Sequence, residues 1–162
     1  MAPRISFPDR GLGEHIDWAL LRTEMAMGMG ALSEAVYGNT QLPLREREAA
    51  RWTIALINDC VVCQDTRAKD GEAAGIDDGF YAEVADWRAS EVLTEREKLC
   101  AEFAQRFALD HLAMDDAFWA RMHAAFADDE LADLTICCGM FLGMGRTLAV
   151  IGVRAPEERI IV

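Results

Sequence analysis

Apolar residues recur at the spacing of an α-helix along almost the whole chain, and no segment shows the sustained alternation of β-branched residues that marks a strand. The clearest helix begins at residues 94–97 (TERE), a capping box in which Thr is followed three positions later by Glu. Behind it, one apolar stripe is formed by Leu99, Cys100, Phe103 and Phe107. The pattern predicts an all-helical fold.

The other helical segments follow the same spacing. We expect a first region at about residues 12–36, a second helix from Pro43 to about Asn58, and a third from Cys60 to about Ala74, which Gly75 ends. A short helix capped by Asp77 or Asp78 comes next, and further helices are expected at about 114–126 and from 128 to about 152.

Two smaller patterns bear on the architecture. The segments 42–49 (LPLREREA) and 93–101 (LTEREKLCA) both place a charged ERE group at the start of an apolar helix. Two related helical halves would give this similarity, and so would chance, because helix starts favour acidic residues.

The chain ends in Ile160, Ile161 and Val162 after a charged hinge. This apolar end is expected either to dock on a neighbouring subunit or to pack back onto its own domain.

Length and charge limit the classes of function. A chain of 162 residues with 52% hydrophobic residues and 4 prolines fits one packed domain, which we assign to residues 1–162. The formal charge of -12 disfavours nucleic acid and anionic lipid surfaces as partners. The longest run without a charged residue, 134–145, is shorter than a membrane-spanning helix, and residues 1–10 do not resemble an export signal, so we expect a cytoplasmic protein without a membrane partner.

The motif Cys60-Val61-Val62-Cys63 is the sharpest chemical feature. If Asp59 caps the following helix, Cys60 lies in the first turn, where free N–H groups stabilise a thiolate, and Cys63 lies within disulfide reach. The alternative is that both residues are small buried hydrophobes. A zinc site would need two further ligands, and the sequence offers no second motif to supply them.

Glu48 and Arg67 are the charged residues expected beside this pair. If the two helices form a hairpin that turns near Asn58, the two side chains fall at similar heights and could form an ion pair. Arg67 would also lie one helical turn beyond Cys63 on the same face. The alternative is a solvated surface on which both charges contribute little.

The sequence resembles the carboxymuconolactone decarboxylase and alkylhydroperoxidase D superfamily. The resemblance is carried by Glu48, which is followed by eleven residues and then by CxxC in a helical protein. The resemblance covers a helical hairpin at 42–74 and a closing helix that starts near Phe126, so that the core match spans about 42–153. It implies an all-helical bundle around a CxxC hairpin that assembles as a homotrimer or homohexamer.

The peroxidase branch of this superfamily implies a role for each residue. Cys63 would attack the hydroperoxide, Cys60 would assist and then close the disulfide, and Glu48 and Arg67 would tune the site. Position 67 departs from the branch, which has His there; Arg stays charged and cannot shuttle a proton. Neither His111 nor His123 is placed near Cys63 by the sequence.

The hypothesis is therefore a CxxC thiol peroxidase that acts on a small hydroperoxide and is reset by an external dithiol or protein reductant. The resemblance implies no cofactor, whether metal, flavin or haem. The alternatives are a lyase that acts on a carboxylated lactone and a non-catalytic oligomer that senses oxidation. The adjacent Cys137 and Cys138 are expected to serve packing.

Overall fold

The computed structural model describes residues 2–157 and 159–162 and confirms the all-helical prediction. Within these residues there is no β-strand, and one isolated parallel bridge joins Arg67 to Ile161. Two short 3-10 turns lie at Ala19–Arg22 and His111–Ala113. The α-helices are α1 (Glu14–Asp17), α2 (Thr23–Asn39), α3 (Leu44–Ile57), α4 (Val61–Asp65), α5 (Asp78–Ala85), α6 (Glu95–Leu109), α7 (Asp116–Ala125) and α8 (Asp128–Ile151).

Side-chain caps start three of these helices, and the sequence predicts two of the caps, those of α5 and α6. The capping box of α6 is complete: the Thr94 hydroxyl accepts from Glu97 N at 3.2 Å, and the Glu97 carboxylate accepts from Thr94 N at 2.8 Å. Asp77 caps α5 by accepting from Phe80 N at 2.8 Å. Asp115 caps α7 in the same manner. Local chemistry therefore fixes these boundaries.

The core lies where α3, α6 and α8 pack together. Alanine at positions 49 and 50 lets the backbone of α3 approach its neighbours closely, and Ile54 is fully buried beside them. By length and composition α8 could also cross a membrane, since its most apolar window has a mean hydropathy of 1.7. In this fold its Leu134 and Cys138 are fully buried in the core, and 39% of that window is buried.

Two salt bridges join the starts of α3 and α6. Arg45 pairs with Glu97 at 2.5 Å, and Arg96 pairs with Glu46 at 2.7 Å. Both carboxylates are largely buried, which strengthens the pairs relative to exposed ones. The similar segments 42–49 and 93–101 are thus in direct contact.

The helix that carries CxxC is much shorter than expected. The predicted helix from Cys60 to about Ala74 ends at Asp65, because Thr66 has an extended backbone with ψ 138°. The Thr66 hydroxyl donates to Val62 O at 3.0 Å, which helps to close the last turn. The helical region predicted at about 12–36 is present but divided, since a single turn follows Gly13 (φ +88°), a 3-10 turn comes next, and α2 begins at Thr23.

The end of the chain packs back onto its own domain. Ile160 O accepts from Arg67 N at 2.8 Å, and Val162 N donates to Arg67 O at 2.9 Å. Lys69 N donates to Val162 O at 2.6 Å. Of the two expectations for the tail, the structure shows the second. The tail therefore lies directly against the segment that follows CxxC.

Candidate functional site

A tight turn places the two cysteines. After α3 ends, Asp59 adopts a left-handed backbone with φ +48°, and Cys60 N donates back to Ala55 O at 3.1 Å. The expectation that Asp59 caps the next helix is wrong, because Cys60 itself is the N-cap of α4. The Cys60 sulfur accepts from Cys63 N at 3.2 Å. A backbone N–H thus stabilises negative charge on the Cys60 sulfur when the pair is reduced.

Cys60 and Cys63 form a disulfide whose Cα atoms are 5.3 Å apart. The two sulfurs have different surroundings. Cys60 is fully buried in a small apolar cluster with Val62, Ile151 and Val153. Cys63 is partly exposed and lines a cavity. The pair is therefore capable of redox chemistry, and a molecule in the cavity meets Cys63.

Helix α8 passes very close to this pair. A Cβ atom on Gly145 would lie 3.2 Å from the Cys63 sulfur and 2.8 Å from Asn58 Nδ2. The Asn58 amide donates to Leu142 O at 3.2 Å, and its carbonyl accepts from Arg146 Nε at 3.1 Å. Only glycine allows this approach, so the turn and α8 are held together beside the sulfur.

Glu48 is fully buried and its carboxylate is well paired. Arg51 Nε donates to both Glu48 oxygens at 2.9 Å, and the Tyr81 hydroxyl donates to Oε2 at 3.0 Å. Arg47 lies 4.0 Å away. The predicted pairing of Glu48 with Arg67 is not made. Arg51 takes that place because it lies three residues along the same helix, where side chains meet.

Arg51 connects this buried carboxylate to the CxxC segment. Its Nη1 donates to Cys63 O at 2.7 Å, and its Nη2 donates to Thr66 O at 3.2 Å. Burial disfavours the guanidinium charge, but the attraction and hydrogen bonds of Glu48 outweigh it, so the pKa of Arg51 is raised above its usual value. The fixed positive charge nearest the Cys63 backbone is therefore that of Arg51.

Arg67 lies beyond the end of α4 and not one turn above Cys63 on a continuous helix. Its Nη1 donates to Gln64 O at 2.7 Å and to Thr66 O at 3.1 Å, which satisfies carbonyls at the end of α4. Its Nη2 faces the exposed Asp78 at 3.4 Å. The guanidinium also lies 4.6 Å from the centre of the Tyr81 ring. Tyr81 thus contacts both Glu48 and Arg67, which do not pair with each other.

The cavity beside Cys63 has a volume of about 490 Å³ and is mainly apolar. Its walls come from the N-terminal segment, α2, α8 and the tail, including Met140, Met144 and Ile160. Arg51 and Tyr37 supply polar groups, and burial raises the pKa of Tyr37 to about 12. The described residues contain no group of three or more His, Cys, Asp or Glu side chains that could hold a metal ion.

The three other cysteines are buried and free. Burial raises the pKa of the Cys100 and Cys138 thiols well above the usual value and that of Cys137 to about 11. Cys137 and Cys138 therefore serve packing, as expected, and are poor nucleophiles.

Sequence reasoning missed several residues that contact the pair. Arg51 could have been found from its i+3 spacing to Glu48. Tyr81, Asn58 and Gly145 gave no local signal, because each reaches the site through a long-range contact. His111 and His123 do not line the cavity; His123 pairs with Asp128 on the surface.

The model of the carboxymuconolactone decarboxylase family matches residues 23–106, which is 84 of the 162 residues and includes Glu48, Arg51 and both site cysteines. The chain belongs to this family. The match begins earlier than the expected core of 42–153 and ends within α6, before α8.

One relative matches about half of the chain. The uncharacterized Escherichia coli (strain K12) protein YnjA is 35% identical over 82 residues, which are 50% of this chain and 44% of that protein. This member of the carboxymuconolactone decarboxylase family thus spans less than half the length of that relative.

Two solved structures share the fold. A protein of unknown function from Agrobacterium tumefaciens, provisionally named as the antioxidant defence protein AhpD, has a TM-score of 0.78 at 22% identity, covering 89% of this chain and 99% of that one. An uncharacterized peroxidase-related protein from Silicibacter sp. TM1040 has a TM-score of 0.75 at 17% identity, covering 93% of this chain and 82% of that one. The AhpD-like helical bundle is therefore the fold of this family member.

Proposed function

We propose that this protein is a CxxC thiol-dependent peroxidase that reduces hydroperoxides through a Cys63 sulfenic acid and an intramolecular disulfide. The observation that carries the proposal is the unequal placement of two bonded sulfurs: Cys63 lines a cavity, and Cys60 is buried behind it. A substrate peroxide would meet one sulfur, and the other would be held ready to close the bond.

The chemistry balances with two thiols and one hydroperoxide. The Cys63 thiolate attacks the terminal oxygen, the O–O bond breaks, and an alcohol leaves after its oxygen takes up the proton that the thiol lost. The Cys60 thiolate then attacks the Cys63 sulfenic acid and releases water as the disulfide forms. Sulfur is oxidised by two electrons and the peroxide is reduced. The proposed cycle uses no metal, flavin or haem.

An external dithiol would reset the pair. The reductant attacks Cys63, because Cys60 is enclosed, and the Cys60 thiolate is the leaving group. The N–H of Cys63 that points to the Cys60 sulfur stabilises this thiolate. The reductant is oxidised to its own disulfide. Cys63 is thus the sulfur that meets both the substrate and the reductant, and Cys60 is the leaving group.

The charged residues would tune this cycle without transferring protons. Arg51 holds the Cys63 carbonyl and is oriented by Glu48, so both would position the attacking sulfur. Arg67 would act indirectly, because its guanidinium binds a carbonyl at the end of α4. Its guanidinium stays charged and serves only as a fixed positive charge.

Hydroperoxide consumption with dithiothreitol as reductant tests the proposal. We expect wild-type protein to turn over and Cys63→Ser to be inactive, whereas Cys60→Ser should form a Cys63 sulfenic acid but no intramolecular disulfide. Cys100→Ala is the matched control, since Cys100 is buried and free, and it should retain activity. Equal slow consumption by wild type and Cys63→Ser would overturn the proposal.

Mass spectrometry after mild peroxide exposure separates the alternatives. A loss of about 2 Da confined to Cys60 and Cys63 supports a peroxidase or an oxidation sensor, and turnover distinguishes these two. Unchanged thiols together with decarboxylation of a carboxylated lactone would favour the lyase that the family name describes.

We also propose that the protein works as a homotrimer or homohexamer. Exposed apolar side chains near the start of the chain and on α2 support self-association, namely Leu12, Ile16, Leu21, Met25, Met27 and Leu32. Light scattering during size-exclusion chromatography measures the mass directly, and a monomer at micromolar concentration would contradict this part.

A further inference from the structure

Peroxide reduction at Cys63 requires a group that can exchange a proton near neutral pH. The thiol must lose its proton before attack, and the departing oxygen must gain one. Arg51, which lines the cavity, stays charged, and the Tyr37 pKa of about 12 keeps its hydroxyl protonated. Glu48 is enclosed in its ion pair with Arg51.

His15 is the one histidine of three that lines the cavity. It lies in α1, and its ring folds back over Gly13, whose added Cβ would sit 3.1 Å from Nδ1. Nδ1 is buried and has no hydrogen-bond partner among the described residues. The ring therefore lines the cavity with at least one nitrogen that no protein group engages.

We propose that His15 is the proton-transfer residue of this site, accepting the Cys63 thiol proton through a water or the substrate in the cavity and returning it to the leaving oxygen. The inference rests on the proposed peroxidase function and assigns it a residue that neither the motif nor the family match includes, since the matched region begins at residue 23. The proton count closes, because the proton taken from sulfur is the one the alcohol receives.

Burial favours the neutral form of His15. Burial lowers its pKa, and the nearby Asp17 carboxylate opposes this in part. Asp17 is itself held by Arg10, whose backbone N donates to it at 3.0 Å, and Glu14 is occupied by Arg154. Neutral His15 can accept a proton, so the rate should fall as acidification protonates it.

The test is the rate at which cumene hydroperoxide oxidises the reduced Cys60–Cys63 pair, measured by stopped flow between about pH 5 and 9. His15→Gln should lower this rate by about 100-fold or more and remove the fall on the acid side. Added imidazole should restore part of the rate. His123→Gln is the matched control, because His123 is exposed and does not line the cavity, and it should match wild type.

A second measurement does not depend on how His15→Gln folds. In the double variant His111→Gln, His123→Gln, His15 is the one histidine left for diethylpyrocarbonate. If the disulfide form is modified before reduction, so that Cys60 and Cys63 are protected, loss of the oxidation rate should parallel the absorbance change of modified histidine. A rate and pH profile unchanged by modification or by His15→Gln would overturn the inference and leave the peroxidase proposal standing. Absence of oxidation in wild type would overturn both.

Discussion

A Cβ atom on Gly145 would lie 3.2 Å from the Cys63 sulfur and 2.8 Å from Asn58 Nδ2. The second distance is too short for any side chain, and Asn58 cannot move freely because three partners hold its amide group. Gly145→Ala should therefore destabilise the fold by about 1–3 kcal/mol, as overpacking does, and displace Cys63. Urea unfolding and peroxide oxidation rates check the two effects.

Gly143→Ala provides the matched control on the same helix. Nothing lies within 4 Å of its added Cβ, so the higher helix propensity of alanine should stabilise α8 by about 0.5–1 kcal/mol. Equal effects of the two substitutions on stability and on oxidation rate would contradict the close approach of α8 to the CxxC pair.

Arg51→Met should be severely destabilising. It leaves the fully buried Glu48 carboxylate without its main partner, which costs about 3–5 kcal/mol in buried ion pairs. The double variant Glu48→Gln, Arg51→Met removes the orphaned charge and should recover much of this loss. Urea unfolding of wild type, Arg51→Met and the double variant gives their free energies of unfolding. A double variant less stable than Arg51→Met would contradict the prediction.

Ile160 and Ile161 give a matched pair for the tail. Ile160 lines the cavity and packs against the cluster around Cys60, whereas the side chain of Ile161 is exposed. Ile160→Ala should widen the entrance to Cys63 and raise its alkylation rate by iodoacetamide in the reduced protein about 3-fold or more. Ile161→Ala should leave the rate unchanged, and equal rates in both variants would show that the tail does not cover the site.

Acid should remove a stabilising interaction at Glu102. Burial opposes ionisation of this carboxyl, but the hydrogen bonds of Arg121 and Arg106 outweigh it, so its pKa is lowered. The pairs contribute stability above the usual carboxyl pKa of about 4.3, and this contribution is lost as pH falls through the folded value. Glu102→Gln should thus be less stable than wild type near neutral pH, with the gap closing in acid.

Thermal unfolding between about pH 3 and 7 measures this gap. Glu91→Gln, at an exposed position, should unfold like wild type throughout. A difference between wild type and Glu102→Gln that stays constant with pH would contradict the assignment.

Features decided by neighbours in sequence could be predicted, and features decided by contacts far along the chain could not. The α6 capping box and the Asp77 cap involve groups three residues apart, so their spacing alone specifies them. The end of α4 depends on the returning tail, which binds the backbone of Arg67. No local pattern reports that contact.

The charged residues of the site show the same division. The sequence identified Glu48 and predicted Arg67 as its partner, although Arg47 and Arg51 lie nearer to it along the chain. Which arginine pairs depends on side-chain direction and on where the chain turns. The left-handed Asp59 and the short α4 direct Arg67 towards Asp78 and leave Arg51 for Glu48.

The salt bridges between α3 and α6 are reciprocal: Arg45 of segment 42–49 meets Glu97 of segment 93–101, and Arg96 meets Glu46. When Arg45 is aligned with Arg96, the positions that correspond to Cys60 and Cys63 are occupied by His111 and Met114. The two helices thus meet through equivalent charged pairs, but the disulfide-forming cysteines follow α3 alone.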